Sequence, residues 1–185
     1  ALAAFAVLLA LPASAQERAT TKEAEGLVKS AVAFVRKEGK AKAFAAFDDP
    51  LVILGQGTVG LEMVEGIGAP GTIYVPVGGG GLLAGIGAAA KELHPAVELV
   101  AVQSAGASSL IPSLRQGRPV PCPQTRTIAD GIAVKCLSDR TFEAARRWVD
   151  DAVTVDDEEI AAAILYALEE MKTSLEGAGA AALAA

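Results

Sequence analysis

The chain has 185 residues, a formal net charge of −6, 52% hydrophobic residues and 21% charged ones, enough to bury the core of one ordinary domain. That composition excludes wholesale disorder, collagen and a disulfide framework, because the two cysteines, Cys122 and Cys136, have neither CxxC nor zinc-ligand spacing. Its acidic balance argues against sequence-independent nucleic-acid binding, which needs phosphate-neutralising charge, and no metal-ligand set is readable.

Residues 1–15 carry no charge and read as the apolar core of a secretory signal, with an A-x-A cleavage site at Ala13, Ser14 and Ala15. The stretch is shorter than the roughly 20 apolar residues a spanning helix needs, so export is expected and a stable membrane span is not. Leu27, Val28, Ala31, Val32, Phe34 and Val35 then recur at helical spacing, and Gly39 interrupts the pattern.

From about residue 47 the pattern alternates between strand and helix. Residues 72–77 have strand composition, followed by Gly78, Gly79, Gly80 and Gly81 and a helix over 82–93. A strand over 97–102, a helix over 108–116 and a loop marked by Pro119, Pro121 and Pro123 come next. A helix over 141–149, a strand over 152–155 and a long helix over 156–171 complete the series, with Asp156 and Glu159 spaced as a capping box. Strands embedded between helices imply the α/β class, a parallel sheet covered by helices on both faces, here preceded by N-terminal helices.

A strand, four glycines and a helix start form an arrangement suited to phosphate. Residues without side chains let consecutive backbone N–H groups converge on an anion, and the helix dipole adds about half a positive charge there. No Lys with Ser or Thr follows in Walker fashion. Gly79, Gly81 and Ala84 fit a dinucleotide fingerprint in outline, but the next strand ends in Gln103 where a ribose would need an acid. Other conspicuous residues read as structural: His94 as a solvated helix end, Trp148 as packing, and Asp150, Asp151, Asp156, Asp157, Glu158 and Glu159 as capping and dipole stabilisation.

Two family resemblances attach to these residues. Residues 23–50 resemble the opening helix of periplasmic cache-type sensor domains. Phe47-Asp48-Asp49-Pro50-Leu51-Val52-Ile53, Gly55-Gln56-Gly57-Thr58, the segment Val75-Pro76-Val77 with the glycine run and Leu82, Thr127-Ile128-Ala129-Asp130-Gly131-Ile132-Ala133-Val134, and Glu176-Gly177-Ala178-Gly179-Ala180-Ala181 resemble threonine dehydratase. The latter family consists of pyridoxal-phosphate enzymes of the tryptophan-synthase-β fold type, which also includes serine racemase. The resemblance implies pyridoxal 5′-phosphate as cofactor, its phosphate held by Gly78, Gly79, Gly80, Gly81 and the Leu82 backbone, with Gly131 and Glu176 near its ring. It also implies an amino-acid substrate, L-threonine or L-serine, deaminated to a 2-oxo acid and ammonia, and a cytoplasmic setting at odds with residues 1–15.

Some family parts have no counterpart in these residues. Nothing resembles the S-F-K-x-R-G-A motif of the Schiff-base lysine, and Lys22, Lys29, Lys37, Lys40, Lys42, Lys91, Lys135 and Lys172 lie in other contexts. The asparagine loop that grips substrate is likewise unmatched. At the positions where serine racemase holds a cation stand Gln103, Ala107 and Ser109, which offer no carboxylate. No catalytic residue and no metal ligand is therefore assigned, and no turnover of threonine by this chain alone is expected. The reading divides the chain into a signal-like segment, 1–15, a helical cache-like segment, 16–47, and a partial threonine-dehydratase-like domain, 48–185. The patterns join at 47–50, and a sheet lacking neighbours leaves edges that invite self-association. The alternatives are an exported sensor fragment and a non-binding α/β chimera.

Overall fold

A computed structural model describes residues 49–68 and 70–185. The signal-like and cache-like readings of residues 1–47 lie outside the described residues. Two units separate by their internal contacts, residues 1–55 and residues 56–185. In the first, the described residues begin helix α1 (Pro50–Ile67). Asp49 starts it: its Oδ1 accepts the Leu51 N–H at 2.9 Å and its carbonyl accepts those of Val52 and Ile53. Pro50 occupies the first helical position, where its missing N–H costs nothing.

The second unit carries β1 (Thr72–Pro76), α2 (Gly81–Leu93), β2 (Glu98–Ser104), a 3₁₀ turn (Ala105–Ala107) and α3 (Leu110–Gln116). A further 3₁₀ turn (Asp130–Ile132), α4 (Asp139–Trp148), β3 (Asp151–Val155), α5 (Asp157–Glu169) and α6 (Gly177–Ala184) follow. The three strands form one parallel sheet in the order β1-β2-β3, with Val75 opposite Ala101 and Val102 opposite Val153. The expected α/β class and covered parallel sheet are what the chain forms.

Successive side chains of β2 serve opposite faces, as the strand period of two requires. Leu99 and Ala101 join Ile73 and Val75 in a core with Leu83, Ile86, Leu110, Leu137 and Phe142. Val102 joins Val155 in a second core with Ile132, Ile160, Ala163, Ala180 and Ala181. Each fully buried side chain of Leu or Ile size stabilises the fold by about 1.5–3 kcal/mol. Helices α2 and α4 pack together on one face, while α5 and α6 pack together as part of the other.

Several element ends depart from the sequence reading, among them that of α4, which starts at Asp139 because Ser138 caps it there. Strand β2 runs two residues past Val102, because Gln103 and Ser104 are buried and the pairing with β3 continues through Ser104 and Val155. Helix α3 starts at Leu110, because Ser108 is extended and the Ser109 and Leu110 N–H groups are held by Gln103 Oε1. Helix α5 ends at Glu169. Helix α1 was not anticipated: Gly57 and Gly60 count against a helix in isolation. A Cβ at Gly57 would lie 3.2 Å from the Gly85 carbonyl oxygen and one at Gly60 3.1 Å from the Ile86 Cα, so these glycines let α1 approach α2. Among the described residues, no helix is long and apolar enough to cross a membrane.

Candidate functional site: a glycine loop between strand and helix

Strand β1 delivers the glycine run directly to the start of α2. Val77, the last residue before it, donates its N–H to the Val102 carbonyl at 2.8 Å. Gly80 then turns the chain with φ 90° and ψ 0°, a left-handed conformation that an L side chain adopts at a cost. It is the N-cap of α2 and has no side chain with which to cap, so the helix's first backbone bond is Ala84 N–H to the Gly80 carbonyl at 2.9 Å. The amides of Gly78, Gly79, Gly80, Gly81, Leu82 and Leu83 have no acceptor among the described residues. A run of such donors at a helix N-terminus attracts an anion, by hydrogen bonding and by the helix dipole together.

Neighbouring segments hold the loop from behind. A Cβ at Gly80 would lie 2.9 Å from the Thr141 Cβ and 3.1 Å from Leu137 Cδ2, so α4 and the residue before its cap close that side. Thr141 is itself locked by a reciprocal capping box with Ser138. A Cβ at Gly78 would stand 3.0 Å from both Ile132 Cα and Val134 Cγ2, so the segment after Asp130 closes a second side. Gly79 differs: a Cβ there would meet Val134 Cγ1 at 3.9 Å, ordinary contact distance. Side chains are therefore excluded at Gly78 and Gly80 by packing, while Gly79 has room.

The segment that closes on Gly78 also reaches Glu176. A Cβ at Gly131 would lie 3.0 Å from the Ala178 Cβ and 3.6 Å from Glu176 Oε2. Glu176 caps α6, its Oε1 accepting the Gly179 N–H at 2.9 Å. Asp157 ties the approach to this turn, its Oδ1 accepting from Thr127 Oγ1 at 2.5 Å and from the Ile128 N–H at 3.2 Å. The fold thus links the glycine run to Gly131 and Gly131 to Glu176 through one loop. Thr141, Val134 and Asp157 were not singled out as site-forming residues. Only Thr141 carried a local signal, a Ser three residues upstream in capping-box spacing.

The acidic run needs a correction. Asp156 does cap α5, accepting the Glu158 and Glu159 N–H groups at 2.9 Å each. Asp157 lies in the first turn of α5 as read and adds tertiary contacts, whereas Asp150 makes tertiary contacts alone. Asp150 Oδ2 accepts from Lys91 Nζ at 2.5 Å and from the Leu99 N–H at 2.7 Å, which holds its carboxyl below the usual carboxylate range, Lys91 contributing most. Lys91 is thereby committed at the far end of α2 from the glycine run. Lys172 donates to the Glu169 carbonyl, and Lys135 is exposed. Lys22, Lys29, Lys37, Lys40 and Lys42 lie outside the described residues.

Gln103, Ala107 and Ser109 do not make a ligand set. Gln103 is 1% exposed and spends its amide on protein groups: its Nε2 donates to the Val77 carbonyl, and its Oε1 accepts the Ser109 and Leu110 N–H groups. Among the described residues, no three His, Cys, Asp or Glu side chains cluster as metal ligands.

Known proteins resemble this chain in sequence and fold. The chain is 49% identical over 139 residues to the L-threonine ammonia-lyase of Thermotoga maritima and 51% identical over 139 residues to that of Geobacter sulfurreducens. Each alignment takes in 75% of this chain and 35% of the relative, so the chain spans about a third of the length of these proteins. The structure of the processed form of threonine deaminase isoform 2 from Solanum lycopersicum superposes with a TM-score of 0.72 at 38% identity, covering 74% of this chain and 40% of that one. The profile of the family described as "Pyridoxal-phosphate dependent enzyme" matches residues 11–185, and the chain belongs to that family.

Proposed function

We propose that residues 48–185 form the phosphate-holding part of a pyridoxal-phosphate dependent threonine deaminase, and that these residues alone bind the cofactor without turning substrate over. The observation that carries this is the left-handed Gly80 at the start of an uncapped helix, behind amides 78–83 that have no acceptor among the described residues. The residues fit the cofactor's phosphate: a dianion needs convergent donors, and packing excludes side chains at Gly78 and Gly80. Gly78, Gly79, Gly80, Gly81 and the Leu82 backbone hold the phosphate in this reading, while Gly131 and Glu176 stand beside the ring. When bound, the cofactor supplies an electron sink for chemistry at the substrate's α-carbon. The chain's own part is to fix the phosphate and exclude side chains from it.

The substrate in this reading is L-threonine, as the names of the relatives suggest, or L-serine, as the resemblance to the wider family implies. Catalysis would also need a lysine and a proton relay, and none of the lysines here stands in the family's motif. The test is a titration with pyridoxal 5′-phosphate, then borohydride reduction and peptide mapping. Saturable binding that inorganic phosphate displaces, without a single labelled lysine, is expected. Absence of binding refutes the phosphate reading, and a stoichiometric adduct on one lysine refutes the expected inactivity.

A further inference from the structure

A primary amide has chemically different ends, one accepting and one donating, and a buried one is held where both are used. Gln103 sits at the C-terminal end of β2 with 1% of its surface exposed. Its Oε1 accepts the N–H groups of Ser109 at 3.0 Å and Leu110 at 2.6 Å, and the Ser108 hydroxyl stands 3.4 Å away. Helix α3 has no cap from its own N-cap side chain, so Gln103 caps it from another element. The Nε2 end donates to the Val77 carbonyl at 3.2 Å. The opposite orientation would set NH₂ against two N–H donors and oxygen against a carbonyl, so the network fixes the amide one way.

We infer that Gln103 is a positioning residue for the glycine loop: by holding the Val77 carbonyl it aims the Gly78 N–H, the first donor of the phosphate cradle. The two groups belong to one planar trans peptide, in which C=O and N–H point in opposite directions. Fixing the oxygen therefore fixes the direction of the hydrogen. Val77 is held at both its polar groups by consecutive residues, its N–H by Val102 and its carbonyl by Gln103. Past that point the next backbone anchor is the bond between Ala84 and Gly80. The inference rests on the phosphate reading above for its functional meaning, but not for its structural content.

Gln103→Glu isolates the donating end. A carboxylate still accepts from Ser109 and Leu110, yet its second oxygen faces the Val77 carbonyl as one acceptor against another. Protonation restores a donor. Burial and the facing Val77 carbonyl oxygen both oppose charge on that carboxyl and push its titration upward, so it should take up a proton by pH 5.5 and the defect should vanish there. Pyridoxal 5′-phosphate and pyridoxal are titrated into wild type and variant at pH 8 and pH 5.5, with ¹⁵N spectra of the unliganded proteins. At pH 8 the variant should bind pyridoxal 5′-phosphate about tenfold more weakly than wild type, one hydrogen bond's worth. At pH 5.5 the ratio should return to near one, while pyridoxal, lacking phosphate, shows no such difference. The Gly78 amide resonance should titrate in the variant and stay fixed in wild type.

Equal binding at pH 8, or a loss that persists unchanged at pH 5.5, overturns the inference. If wild type binds no pyridoxal 5′-phosphate, the phosphate reading fails, while the Gly78 resonance still decides the role of Gln103. Should the variant not fold, wild type decides. One Gln103 side-chain amide proton must exchange at least about a hundredfold more slowly than a free amide, and free-amide exchange overturns the assignment.

Discussion

Gly79 and Gly80 are adjacent, and alanine at each should separate folding from binding. At Gly80 two costs add. A Cβ residue held at φ 90° pays about 1–2 kcal/mol for the left-handed conformation. Its methyl would press on the Thr141 Cβ at 2.9 Å and Leu137 Cδ2 at 3.1 Å, and overpacking of that kind costs about 1–3 kcal/mol. Gly80→Ala should therefore lose about 2–5 kcal/mol, a large part of the roughly 5–15 kcal/mol that holds a domain folded. In melting temperature that is a fall of roughly 8–20 °C for a unit of this size.

At Gly79 the backbone is not left-handed and the methyl would meet only Val134 Cγ1 at 3.9 Å. Gly79→Ala should leave stability unchanged or raise it by up to about 1 kcal/mol, because alanine reduces the freedom of the unfolded chain. The methyl would crowd the amides around an anion, and pyridoxal 5′-phosphate affinity should fall about tenfold, roughly 1.4 kcal/mol. Urea unfolding followed by circular dichroism, with cofactor titration of the same samples, reads both. A Gly80→Ala change within 0.5 kcal/mol of wild type, roughly the scatter of a neutral substitution, would refute the strain argument. A Gly79→Ala variant that binds as wild type does would refute the placement of the phosphate.

Further expectations concern the supports. Gly106→Ala should destabilise the chain more than alanine at Gly57, Gly60, Gly78 or Gly80 by urea unfolding, because its methyl would fall inside the Arg126 carbonyl. Asp150→Asn should cost under about 1 kcal/mol at pH 7, the side chain being 45% exposed and screened by water. Since folding lowers the Asp150 pKa, that contribution is full above the unfolded carboxylate value, about 3.9, and lost as pH falls through the folded one. Unfolding curves of wild type and variant should therefore converge towards pH 2. Glu176→Ala should lose about 1 kcal/mol with its cap on α6 while Glu176→Gln retains most of it, as measured by thermal melts. Cys136 should react slowly with a maleimide at neutral pH, because burial, then Cys122, then Asp139 raise its thiol pKa; labelling as fast as a free thiol would contradict this.

Much of the fold was legible because its signals were local. The short apolar run of β2, buried on both faces, and the capping box at Asp156 are such signals, and both elements form close to where those signals stand. The glycine run was legible for a different reason: four residues without side chains are hard to explain as a turn alone. What escaped depends on distant chain. Helix α1 is stabilised by its approach to Gly85 and Ile86, which no local pattern in 50–67 reveals. Gln103 read as the absence of an acid, whereas its amide joins β1, β2 and α3 through bonds spanning up to 26 positions. Asp157 looked like helix-start charge, but its carboxylate reaches back 30 positions to Thr127.

The strand order β1-β2-β3 follows the order of the chain, and this bears on how the unit is made. On a chain emerging N-terminus first, β2 meets a β1 already present, and β3 meets a finished β1–β2 pair. Neither pairing has to displace a strand laid down in between. The glycine run is synthesised early but matures late, since Val134, Leu137 and Thr141 must arrive before Gly78 and Gly80 are walled in. Cofactor could therefore assist assembly only after residue 141 has left the ribosome, by which time β1 and β2 have emerged and β3 has not.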